Sequence, residues 1–133
     1  MAGPLAGFVV GSLIGAVATI AGSYFLFVRR RRAAVERLRL AFETELAALS
    51  YVEELSEAGR YEELAATVEE PVVYETNAGE IGRLSDAEVE ALVTFYTDLY
   101  WLRDQQDVED EKSRVDEIAD EWRLALDAVR AAG

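Results

Sequence analysis

The sequence contains no cysteine and no histidine, and Lys112 is its only lysine. Disulfides, thiolate nucleophiles, histidine bases and the usual Cys/His zinc sites are thereby excluded. Schiff-base or P-loop chemistry would have to rest on that one lysine, which sits in a highly charged stretch. Proline is scarce as well, with Pro4 and Pro71 alone, so few positions forbid a helix. Carboxylates are the only abundant reactive groups: 26 Asp and Glu stand against 13 Arg and Lys, a net charge of −13.

Charge is missing altogether from residues 5–28, LAGFVVGSLIGAVATIAGSYFLFV, a run of 24 residues that Arg29, Arg30, Arg31 and Arg32 follow at once. About 20 apolar residues at 1.5 Å per residue cross a hydrocarbon core of about 30 Å. Twelve of the 24 are Leu, Ile, Val or Phe; they favour insertion by at most roughly 4 to 7 kcal/mol before the Gly, Ser, Thr and Tyr positions reduce it. A cleaved secretory signal would need a basic start, a shorter apolar stretch and a small-residue cleavage site, whereas residues 1–4 carry no side-chain charge and the arginines come after the run. A transmembrane helix over residues 5–28 is expected, with the N-terminus outside and residues 33–133 cytoplasmic, because positive flanks stay on the cytoplasmic side. The arginines then act at the lipid headgroups and as topology determinants.

Residues 33–133 suffice for one small domain. Without the four arginines the balance is nine basic to 26 acidic side chains, a net of −17. Such a surface repels nucleic acid and anionic lipid, so no nucleic-acid partner is expected. Arginine outnumbers lysine 12 to 1 and the acidic residues are spread along the chain, a composition that resembles the proteins of salt-in halophilic archaea. A GC-rich bacterium with one unusually acidic protein is the alternative.

The soluble part reads as all-α. Val35, Leu38, Phe42, Leu46, Leu49, Val52 and Leu55 recur every three or four residues, a one-faced stripe with no Gly or Pro before Gly59. The membrane helix is therefore expected to continue through the arginines to about Ala58. A short helix follows near Tyr61–Glu69, Pro71 interrupts, and Ser85-Asp86-Ala87-Glu88 fits a capping box. Beyond it two apolar stripes, Val89–Leu102 and Val115–Val129, flank a charged middle without Gly or Pro. One helix of about 45 residues is favoured over two helices and a loop. The expected architecture is a transmembrane helix running into a long cytoplasmic helix, packed antiparallel against a long C-terminal helix with short helices between. Its parts are the N-terminal segment and span 1–28, the arginine cluster 29–32 and the acidic domain 33–133.

The segment from Pro71 through Tyr74-Glu-Thr-Asn77, Gly82-Arg-Leu84-Ser85 and Phe95-Tyr96 to Leu99 resembles a pattern in small prokaryotic and prophage-associated single-pass membrane proteins of unassigned activity. There a Tyr-Glu-x-Asn stretch leads through Gly-x-Leu-Ser into a helix bearing Phe-Tyr. The likeness covers about 30 of 133 residues. It implies a membrane-tethered helical domain and assigns no functional residues.

Within the span, Gly7, Gly11 and Gly15 repeat every four residues. Small residues let helix backbones approach in a bilayer, where lipid tails remove the hydrophobic drive between helices, so these three form the candidate self-association face of a homo-oligomer. The acidic groups Glu53, Glu54, Glu57 and Asp104, Asp107, Asp110, Glu111 lack the spacing of a calcium loop and read as solvated faces. Trp101 is the aromatic residue expected to reach an external protein partner. No catalytic, cofactor or metal residues are expected. The function expected is a non-enzymatic, membrane-anchored interaction or structural protein, viral or prophage membrane components included. A small oligomeric pore or channel subunit is the alternative.

Overall fold

With neither glycine nor proline between residues 33 and 58, nothing local stops a helix that enters from the apolar segment. The first helix, α1 (Gly3–Ala48), runs unbroken through the four arginines. The computed structural model describes the backbone from residue 3 and the side chains from residue 12, both to residue 133; among these residues all regular structure is helical. The chain divides into two compact units, Met1–Ala34 and Val35–Gly133.

From Gly3 the first unit is helix alone. Leu13, Ile14, Val17, Ile20, Phe25 and Phe27 are each 60 % exposed or more, and every residue from Ser12 to Phe27 is exposed. It is the one described helix long and apolar enough to cross a membrane. Thr19 donates its hydroxyl to the Gly15 carbonyl at 2.9 Å and so hides its polarity within the helix.

In the second unit α1 becomes one-faced, with Leu38, Phe42 and Leu46 buried. The helix does not continue to Ala58 as expected. At Leu49 the amide is shared between the carbonyls of Glu45 and Leu46, both at 3.0 Å, and this tightened turn separates α1 from α2 (Tyr51–Glu57). The freed carbonyl of Leu46 also accepts the Trp122 indole N–H at 2.8 Å, so a tertiary contact occupies a backbone group that helix continuation would have used. Beyond the turn Val52 and Ser56 face inward, with Leu55 half-buried.

Gly59, at φ +70°, ends α2 in a left-handed cap: Arg60 donates to the Leu55 carbonyl at 2.9 Å and Gly59 to that of Ser56 at 3.0 Å. Helix α3 (Tyr61–Thr67) inserts Leu64, fully buried, and Pro71 stands just before α4 (Val72–Asn77), where its missing amide costs nothing. The first free amides of α4, those of Val73 and Tyr74, donate to the Glu45 carboxylate at 2.7 and 3.1 Å. A 3-10 turn over Ala78–Arg83 leads to Ser85 and α5 (Asp86–Arg103), whose capping box forms as read: Glu88 donates its amide to the Ser85 hydroxyl at 3.3 Å and accepts from the Ser85 amide at 3.1 Å.

The single 45-residue helix does not occur. Helix α5 stops at Arg103, a 3-10 turn spans Glu109–Glu111, and α6 runs Lys112–Ala132. Side chains in the break compete for the backbone: Gln105 donates to the Trp101 carbonyl at 3.0 Å, and Asp107 accepts the Glu109 amide at 2.9 Å. Val108, 1 % exposed, pins the turn to the core. The reversal lets both stripes enter one core, with Leu92, Phe95, Tyr96, Leu99 and Leu102 of α5 beside Val115, Ile118, Trp122, Leu126 and Val129 of α6. A straight helix would have carried the second stripe away from the first.

Contacts of α6 to α1 and α2 run from Arg130 with Glu43, through Trp122 with Leu46, to Asp116 with Ser56. One set of numbers rises as the other falls, the order of antiparallel packing. Tyr74 and Tyr96 stack at 4.2 Å between centroids, with Phe42 against the edge of the pair.

Candidate interaction surfaces

Gly15 stands clear on the apolar helix: a Cβ built there meets nothing within 4 Å, and the same holds at Gly22. Gly7 and Gly11 share its helical backbone, while what surrounds them lies outside the described residues. Arg29, Arg30, Arg31 and Arg32 are all exposed, and no ion pair among the described residues involves them.

Trp101 is half-buried against the core, and the Arg114 guanidinium lies 3.7 Å from its ring centroid. The cation sits on one face of the ring. Of the acidic groups, Glu53 is taken up by Arg123 at 2.6 and 3.1 Å and Asp107 by the Glu109 amide. Among the described residues no three carboxylates are placed to hold a metal ion.

Three carboxylates are drawn in from the solvated surface, Glu88 wholly and Glu45 and Glu121 in part. Glu88 is fully buried and accepts a two-pronged bond from Arg39, Nε at 2.8 Å and Nη2 at 2.9 Å, besides its capping contacts with Ser85. Burial alone would raise its carboxyl, but the bonds from Arg39 and Ser85 hold it below the ordinary value. Glu45 joins the amides of α4 to the Tyr96 hydroxyl, which donates at 2.6 Å. The Tyr96 phenol is pushed far up, first by burial and then by that bond.

Glu121 on α6 is the third. Its Oε2 is closed off from solvent and receives no hydrogen bond. Burial, the adjoining Asp98 carboxyl and the charge of Glu117 push its carboxyl up to about 8, against a smaller opposing pull from Arg114. Beside it, Glu121, Leu124 and Ala128 of α6 and Ala87, Glu90, Ala91 and Thr94 of α5 line an open groove of about 370 Å³. Reading the sequence alone missed this groove, because the helices that form it become neighbours only through the break after Arg103. The available signal was the small, exposed or half-exposed set Ala87, Ala91 and Thr94 at helical spacing.

The chain matches no protein-family model, no curated protein and no solved structure.

Proposed function

We propose that this protein is a non-enzymatic, membrane-anchored helical interaction protein. Its N-terminal helix crosses a bilayer with residues 33–133 on the cytoplasmic side, associates with other copies through Gly7, Gly11 and Gly15, and holds the acidic domain where a cytoplasmic protein can bind it. A viral or prophage membrane component is one form of this reading. The observation that carries it is the contrast along α1: every residue from Ser12 to Phe27 is exposed, large apolar side chains included, whereas from Leu38 onward the helix buries an apolar face. A surface of the first kind is unstable in water and suited to lipid. Arg29 to Arg32 then sit at headgroup level on the cytoplasmic side, where each contributes about 1 kcal/mol near anionic lipid at ordinary salt.

A pore is the weaker reading, since the span offers only Ser12, Thr19 and Ser23 as polar lining and the Thr19 hydroxyl is already bonded to Gly15. The test is association of the full chain in native lipid. Gly11→Ile and Gly15→Ile should insert normally yet lose self-association, while Val17→Leu should not. Equal association of wild type and Gly11→Ile would leave the glycine spacing without a role.

A further inference from the structure

The solvent side of the α5–α6 hairpin is left open. Ala87, Ala91 and Thr94 lie four and three residues apart on α5, and Ala128 faces them from α6, so short side chains keep the groove floor low over about 10 Å of helix. Leu124 on its edge is 64 % exposed, an apolar side chain with no cover in the domain. A groove of this shape, lined at helical spacing, accepts the i, i+4 and i+7 side chains of another helix.

Its electrostatics are one-sided. Glu90 and Glu121 line it, Asp98 adjoins Glu121 from α5, and Glu117 adds a further negative charge from α6. Arg114 is the one cation acting there, and it lies over the Trp101 ring and 4.0 Å from Asp98. The shielded Oε2 of Glu121 receives no hydrogen bond from a donor group of the domain, and the neighbour of its carboxyl is another carboxyl, that of Asp98.

We propose that this groove docks a helix of a partner protein that is apolar on its docking face and brings one arginine or lysine to Glu121. Charge selects this occupant over a second copy, whose own domain carries a net of −17 against the same acidic rim. The inference rests on the reading of residues 33–133 as a partner-binding domain and is independent of the span and the glycine ridge. Because Glu121 holds a proton near neutrality, an arriving cation displaces it, and docking tightens as pH rises.

The test uses the full chain in nanodiscs of zwitterionic lipid. The probe is a fluorescent helical peptide of about 15 residues with leucine at i, i+4 and i+7 and one arginine on the same face, beside a twin with glutamine for arginine. The arginine peptide should bind about tenfold more tightly than its twin at pH 8, and lose most of that margin by pH 6. Glu121→Gln should abolish the margin while leaving apolar binding, and Leu124→Asp, a change at an exposed site, should weaken both peptides. Absence of peptide binding, equal binding of the two peptides, or a margin that survives Glu121→Gln overturns the proposal. So does self-association lost on Leu124→Asp, which would make a second copy the occupant. Insertion and glycine-dependent association are scored separately, so failure here and failure of the membrane reading are told apart.

Discussion

Replacing Arg39 by leucine removes the guanidinium that holds the Glu88 carboxylate inside the domain. The Glu88 side chain is 0 % exposed and that of Arg39 16 %, so the change strands a buried charge, and removing one partner from such a pair costs about 3 to 5 kcal/mol. The lower figure, about 3, is expected here, because the Ser85 amide and hydroxyl still donate to the carboxylate. In a domain of about 100 residues that is a fall in Tm of roughly 12 to 24 °C. Arg130→Leu is the control: it removes a comparable pair with Glu43 whose side chains are 52 % and 38 % exposed, and should cost about 0.5 kcal/mol or less. Both tryptophans lie in the second unit, so urea unfolding read by tryptophan fluorescence follows this domain without interference from the apolar helix. The native Glu88 carboxyl titrates below its ordinary value. The stability it gives is therefore complete above the unfolded value of about 4.5 and is lost as pH falls through the native one. The gap between wild type and Arg39→Leu should accordingly narrow on acidification. Equal losses for Arg39→Leu and Arg130→Leu, or a gap that does not depend on pH, would refute the assignment of a buried, interacting pair.

If the N-terminal helix spans a membrane with the four arginines on its cytoplasmic side, as proposed, protease added to sealed right-side-out vesicles should spare residues 33–133; cleavage of the domain in intact vesicles would reverse the orientation. If the acidic surface is a halophilic one, helicity of the second unit should fall at low salt, where charges repel with little screening, and return in molar KCl. Circular dichroism unchanged from about 0.05 to about 3 M KCl would remove the halophilic reading. Gly59→Ala should cost about 1 kcal/mol through backbone strain alone, since φ is +70° and a Cβ there meets nothing within 4 Å; a smaller loss for Gly59→Asn in the same urea titration would identify the left-handed cap as the cause.

Local chemistry was legible wherever partners lie within one helical turn. Ser85 and Glu88 are three residues apart, so the capping box could be read directly, as could the buried positions Phe42, Leu46, Trp122 and Leu126 from their spacing. The break between α5 and α6 was not legible, because residues 104–108 contain no glycine or proline. What ends the helix is the choice by Gln105 and Asp107 of backbone partners, together with the burial of Val108, and that burial exists only once the core has formed. The turn at Leu49 has the same character, with its Leu46 carbonyl bonded to an indole 76 residues away.

The acidic residues carry the consequence for function. In the sequence the capping-box Glu88 alone stands out, and the rest of the 26 look alike, a surface of one sign. Folding gives Glu88 a guanidinium from α1 and gives Glu45 two amides and a phenol from α4 and α5. These contacts are made within the chain, so both groups are satisfied and belong to the architecture. Glu121 is only half-buried, but its Oε2 is shielded and meets the Asp98 carboxyl instead of a donor group of the domain. A protein surface rich in exposed carboxylates attracts cations without discrimination and is screened by salt. A carboxylate shielded at the edge of an apolar groove discriminates, because its counter-charge must arrive with the right shape around it. If the domain binds a partner helix as proposed, its selectivity is expected to lie at Glu121 and Leu124, not in the acidic excess that dominates its composition.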